Sequence, residues 1–214
     1  MLDITIPLTD GMIHWPNDPA VSITTLCDVT QGDAATVRQL LMGSHTGTHV
    51  DAPCHFIPHA ATLDDIPLTT WVGETYVLAI DPHAPAVEAE HLDALFALPR
   101  LPQRVLFKTG NSQSEWWHQP FNTSFVHLTL PAAQRLLTLP ALCLVGIDYL
   151  SIDAYAATGA PVHHALLGQQ VGLLEGLNLC HVPQGWYHLS AAPLRIAGGD
   201  GAPTRAILQP LSQL

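Results

Sequence analysis

An α/β fold with a mixed β-sheet and irregularly interleaved helices is what this sequence predicts, on three observations. Short β-branched or apolar runs bounded by turn residues recur along the chain. Helical patterns separate some of these runs and not others, and the carboxyl-terminal runs are joined only by turns. Parallel neighbours need a crossover between them, so turn-linked runs add antiparallel pairs to the sheet.

In order, strands are expected at 2–6, 37–42, 75–80, 104–108, 142–148, 171–174, 194–196 and 204–208. Helices are expected at 87–98, 131–137 and 162–167, with a short one after Ser151. Pro131 occupies a first-turn position, where its missing N–H leaves no hydrogen bond unmade. The 214 residues hold no repeat, low-complexity tract or linker-like run, so residues 1–214 are expected to form one domain with a sizeable core.

Seven Lys plus Arg against eighteen Asp plus Glu give a formal charge of −11, which disfavours nucleic acid or an anionic membrane as partner. Only 12% of the residues are charged, so some apolar surface is expected to be hidden between subunits of a homodimer or larger homo-oligomer. The start, Met1-Leu-Asp-Ile-Thr-Ile6, has no basic n-region or long apolar run, and a cytoplasmic location is expected. Cys27, Cys54, Cys143 and Cys180 are scattered and form no CxxC pair, as suits a reducing compartment.

The densest chemistry is Ser44-His-Thr-Gly-Thr-His-Val-Asp-Ala-Pro-Cys-His-Phe56. His45-x3-His49-x-Asp51 supplies the mixed nitrogen and oxygen donors that zinc, manganese and iron accept. Metal–ligand bonds of ~2.1 Å keep donor atoms within about 4 Å of one another, which tests the backbone. A helix would turn Asp51 away from His45 and His49, and a straight strand would part the ends by about 20 Å. The segment must therefore be extended but turned, with Gly47 as the pivot and Pro53 stiffening the approach to His55. His55 is left over as a candidate base. A thiol mechanism pairing Cys54 with His55 fares worse, because adjacent residues on an extended chain point apart.

A second group follows the 142–148 run. Asp148 either emerges at a ligand crevice or caps a turn. Of His163 and His164, opening a short helix, one can face inward. Glu175 sits in an apolar run, and a buried carboxylate costs several kcal/mol unless a cation or strong donors meet it; a metal or His163 would serve. Lys108, the only lysine, either holds a carboxylate near the pocket or is solvated.

His-Thr-Gly-Thr-His-Val-Asp-Ala-Pro-Cys-His resembles the HxGTHxDxPxH signature of the cyclase family of metal-dependent hydrolases, which includes kynurenine formamidases and isatin hydrolases. The likeness extends over Trp15-Pro-Asn-Asp-Pro19, Phe107-Lys-Thr-Gly-Asn111, Gly146-Ile-Asp-Tyr-Leu150, Pro161-Val-His163, Glu175 and Asp200-Gly-Ala-Pro-Thr-Arg205. It implies the family's swivelling β/β/α fold, usually in dimers or larger assemblies. It further implies His45, His49 and Asp51 as metal ligands, His55 as proton donor and acceptor, and His163 with Glu175 as a second zinc position or a support for the first. Zinc is the favoured divalent ion, one or two per chain, with manganese the alternative. Trp15 matches the tryptophan that contacts an aromatic substrate, and Phe56 is expected to help enclose it. The implied reaction is hydrolysis of an aryl formamide such as N-formylkynurenine to formate and an arylamine. A cyclic amide such as isatin, a lactone or an ester is the alternative, and a metal-stabilised binding module the non-enzymatic one. Thr48 and Phe56 stand where the formamidases usually carry Ala and Tyr, which ties the choice of substrate to these two positions.

Overall fold

In the computed structural model, which describes residues 1–211, a nine-stranded mixed sheet carries the site. Its strands lie in the order Leu2–Asp3, Ile207–Pro210, Gly185–Ser190, Val72–Ala79, Arg104–Lys108, Leu144–Ile147, Gly172–Glu175, His49–Asp51 and Gly201–Pro203. The four from Val72–Ala79 to Gly172–Glu175 are parallel, and every outer pairing is antiparallel. The sheet curls until its ends approach: Ile4 N–H donates to Ala206 O, and Asn178 N–H to Ile4 O.

Alternation along the parallel strands splits the core in two. Val105, Phe107, Val145, Ile147 and Leu173 face a layer that includes the helices Leu130–Leu136 and Pro161–Leu167. Leu106, Leu144 and Leu174 face the inside of the curl with Val50, Trp71 and Leu189. Thr129 caps the first helix, its hydroxyl accepting from Ala132 N–H, and Pro131 lies in the first turn.

Several expectations change. The run at 194–196 is irregular, with Leu194 and Ile196 exposed; Pro193 lacks the N–H a ladder needs, and no inward-facing stripe anchors the segment. Turns, not a short helix, follow Ser151. The 87–98 pattern shortens to a 3₁₀ turn at Ala89–Leu92 and a helix at Asp93–Phe96, while Val87 ends a two-residue strand. Of the 204–208 run only 207–208 lie in a strand, Ile207–Pro210, with Thr204 in an isolated bridge to Pro193, and another strand precedes it at Gly201–Pro203. Strands also form at Ser22–Cys27, His49–Asp51 and Gly185–Ser190. The first pairs with Val37–Leu41 in a hairpin outside the main sheet, whose second strand is exposed throughout. Among the described residues no helix is long and apolar enough to cross a membrane.

Candidate active site

Gly47 turns the chain, at φ +66°, between the loop holding His45 and the strand His49–Asp51. The strand's neighbours then decide which side chains meet. Glu175 lies directly opposite His49, and Leu173 opposite Asp51, so all four share the helix-side face while Val50 enters the curl. Pro53 opens a 3₁₀ turn, Pro53–His55, and the His55 ring stacks on that of His45 with centroids 3.7 Å apart. From above, the helix Pro161–Leu167 buries Val162 and His163 and leaves His164 exposed. Asp153 fixes it, one carboxylate oxygen accepting from Val162 N–H and the other from His163 N–H and Nδ1 (2.6 Å).

These elements converge on Asp51. His45 Nδ1 is 2.7 Å and His49 Nε2 3.4 Å from Asp51 Oδ1, and His163 Nε2 is 3.6 Å from Asp51 Oδ2. Glu175 faces the same rings, 3.5 Å from His49 Nε2 and 3.3 Å from His163 Nε2. Donor atoms of His45, His49 and Asp51, and again of Asp51, His163 and Glu175, lie within 4.8 Å of one another, with Asp51 common to both sets.

The donor set fits a divalent cation, and the test is hydrogen-bond capacity. His49 Nδ1 lies 2.9 Å from Gly47 O and His163 Nδ1 lies against Asp153, so each ring proton is committed there. Each Nε2 then faces carboxylate oxygens with a lone pair that only a further proton or a cation can occupy. Asp51 Oδ2 is buried with no hydrogen-bond partner. Donor atoms 3.3–3.6 Å apart lie near the spacing of about 3.0–3.4 Å that ligands ~2.1 Å from one ion would take, and small side-chain shifts would close the rest.

Electrostatics agree. Burial works against charge on His49, yet hydrogen bonds to Asp51 and Glu175 push its pKa up to about 10. The same contest raises His163 well above the usual range through Glu175 and Asp153, and raises His45 through Asp51. Burial opposes ionisation of Asp51, but the three imidazoles hold its carboxyl well below the ordinary value. A centre that draws protons onto its imidazoles is one that attracts a cation. His55 behaves differently: burial and the charges of His45 and His163 depress its pKa, leaving a neutral ring.

A cavity of about 320 Å³ opens over the cluster, lined by His49, His55, His163 and Glu175 at its floor and by Trp15, Phe56 and Tyr155 along its wall. Trp15 packs against Tyr155 and Phe121, with centroids 5.6 and 5.4 Å away. Phe56 touches both His55 and His163, at 4.3 and 4.4 Å.

Other singled-out residues lie elsewhere. Lys108 Nζ donates to Cys180 O and Val182 O, 3.0 Å each. Asp148 is buried among Thr109 and Ser112. Cys54 Sγ faces Gly199 O. Thr48 is buried outside the cavity, donating to Gly176 O and accepting from Ile6 N–H, so of the two positions tied to substrate only Phe56 reaches the wall. Asp153 and Asp200 are additions. Asp200 opens Asp200-Gly-Ala-Pro-Thr-Arg205, one of the stretches that carry the likeness, and sits in Gly198-Gly-Asp-Gly201, a glycine run that permits close backbone approach.

Residues 2–154 match the Cyclase family. A kynurenine formamidase of Salinibacter ruber is 36% identical, over 98% of this chain and 97% of its own. A predicted metal-dependent hydrolase from Bacillus stearothermophilus superposes with a TM-score of 0.81 at 33% identity, covering 97% of this chain and 96% of that one. An isatin hydrolase bound to the product analogue thioisatinate superposes with a TM-score of 0.81 at 25% identity, covering 98% and 92%.

Proposed function

The chain belongs to the Cyclase family, and from that premise we propose that it is a metal-dependent arylformamidase, hydrolysing aryl formamides such as N-formylkynurenine to formate and an arylamine. One observation carries the reading: the buried, half-unpartnered Asp51 carboxylate ringed by imidazole nitrogens beneath an aromatic-walled cavity. Full-length likeness to a kynurenine formamidase supports the substrate class.

In this proposal His45, His49 and Asp51 hold the ion, and His163 with Glu175 either hold a second one through the shared Asp51 or brace the first. Zinc is the ion we assign, with manganese suited to the same donors. A divalent ion bound there supplies Lewis acidity, polarising a carbonyl and making water acidic near neutral pH. His55, neutral before reaction, takes a proton at a ring nitrogen from the water whose oxygen attacks the formyl carbon. As the C–N bond breaks, His55 returns that proton to the departing nitrogen; formate leaves and its acid proton goes to solvent. Trp15, Phe56 and Tyr155 enclose the aryl group and exclude water. Exposed Leu26, Val37, Leu40 and Leu41 on the hairpin support assembly into a homodimer or larger oligomer, and four free thiols suit a cytoplasmic setting.

Isatin opening is the second reading, favoured by the isatin hydrolase superposition and by Phe56, whose ring brings no hydroxyl to the cavity wall. One preparation separates them: zinc content is measured, and turnover is compared on N-formylkynurenine and isatin. The expected result is a larger kcat/KM on the formamide, with His55→Ala keeping its zinc and losing about 10²–10⁴-fold in kcat. Larger kcat/KM on isatin would replace the substrate assignment, and zinc-free protein with full activity would sink the mechanism.

A further inference from the structure

Asp200 lies 149 residues from Asp51 in the chain, yet its carboxylate stands behind both histidines at the edge of the cluster. Asp200 Oδ2 is 2.9 Å from His45 Nε2 and 3.9 Å from His55 Nδ1, and it accepts from Ser44 Oγ at 3.3 Å. The two rings it faces are stacked, 20° from parallel. We propose that Asp200 is a positioning residue that holds His45 and His55 in their working orientations, an inference resting on the metal-dependent reading above.

The reasoning follows from what an imidazole can do with two nitrogens. His45 turns Nδ1 toward Asp51, 2.7 Å away, and Nε2 toward Asp200. Asp200 accepts the Nε2 proton, which selects the tautomer whose Nδ1 lone pair faces the cluster. An acceptor behind a ligating histidine orients the ring and strengthens it as a donor to the ion. The same oxygen lies too far from His55 Nδ1 for a hydrogen bond but within reach of electrostatic attraction. It biases His55 to present Nδ1 to Asp200, and therefore Nε2 away from it. Stacking transmits the restraint, since tilting either ring moves the other.

The backbone around Asp200 is built for this approach. Ala52 N–H donates to Asp200 O at 2.8 Å, tying the loop to the end of the ligand strand. A Cβ at the next residue, Gly201, would stand 2.4 Å from His45 Cε1 and 2.6 Å from Val50 O, so no other residue fits beneath the ring. The side chain is half exposed, so its carboxylate is not needed to fill the core.

Asp200→Ala and Asp200→Asn test the assignment, the second keeping an acceptor and removing the charge. Zinc affinity is measured by competition with a chelator, and kcat and KM for N-formylkynurenine are measured at saturating zinc. Thermal melting checks that both variants are folded. For Asp200→Ala we expect zinc binding weakened about 10–100-fold and a kcat lowered by a similar factor, with KM within about twofold. Asp200→Asn recovers most of the zinc affinity. Parent-like zinc affinity in a folded Asp200→Ala overturns the proposal whichever substrate the parent hydrolyses, and a parent-like kcat at saturating zinc overturns it equally. If the parent fails on N-formylkynurenine, the substrate assignment falls while the zinc arm still decides the role of Asp200.

Discussion

Asp51 and Asp148 are both fully buried carboxylates, one in the strand His49–Asp51 and the other just past Leu144–Ile147, with Gly172–Glu175 between those strands, and they end in opposite conditions. Asp148 has its lone pairs filled: Thr109 N–H and Oγ1 each donate at 2.7 Å, Ser112 Oγ at 2.5 Å and Asn111 Nδ2 at 3.4 Å. Asp51 is surrounded by imidazoles, two of which have already committed their ring protons to Gly47 and Asp153. Backbone amides and hydroxyls bring protons of their own; histidines so committed can satisfy Asp51 only by taking up a further proton or by sharing a metal ion with it. Burial therefore does not mark a functional carboxylate. What marks it is whether its neighbours can satisfy it without a cation.

The strongest way to break this contrast is Asp51→Asn, which keeps the shape and removes the charge. Zinc should be lost on dialysis and turnover of N-formylkynurenine should fall to background, because one ligand serves both donor sets. The melting temperature of the metal-free variant should fall below that of metal-free parent near neutral pH, since the imidazoles whose added protons Asp51 holds lose their partner. Zinc retained in full by Asp51→Asn, measured by elemental analysis, would put the ion elsewhere.

Asp148→Ala should do the reverse. Thr109 N–H cannot rotate to another partner, so the variant leaves a buried donor unmade and loses about 1–3 kcal/mol in urea denaturation. Its zinc content should match that of the parent. A folded Asp148→Ala that sheds zinc would show that the loop 109–113 supports the cluster, and the contrast would fail.

How much of this was legible in the sequence depended on whether the cue was local. His45, His49 and Asp51 lie within seven residues, so one candidate donor set shows in spacing, and Gly47 shows as the residue there most free to take φ +66°. Arg104–Lys108 shows as a strand because a parallel strand buried on both faces is a continuous apolar run. The His49–Asp51 strand is hidden, because two of its three residues, His49 and Asp51, are polar and leave only Val50 to mark a period. Asp200 and Asp153 are isolated aspartates whose roles exist only once the sheet has curled and the helix Pro161–Leu167 has docked. The 194–196 run misleads for the converse reason: apolar residues over so short a span cannot report whether a neighbouring strand is there to receive them.

The finest test of the contrast is pH. Burial raises the pKa of Asp148 despite its donors, so the folded chain holds that proton to a higher pH than the unfolded chain, where an aspartyl group titrates near 3.9. In that window the folded state binds more protons, and stability falls as pH rises. The contribution is whole below the unfolded value and is gone once pH passes the folded one. Asp148→Asn cannot titrate, so the parent should lose stability relative to it as pH climbs from 4 through the raised folded value. Urea midpoints of metal-free parent and variant, collected at steps across this range, read the slope directly. A parent that gains on Asp148→Asn over the same steps would mean that the donors outweigh burial. Asp148 would then resemble Asp51, whose imidazoles hold its carboxyl low.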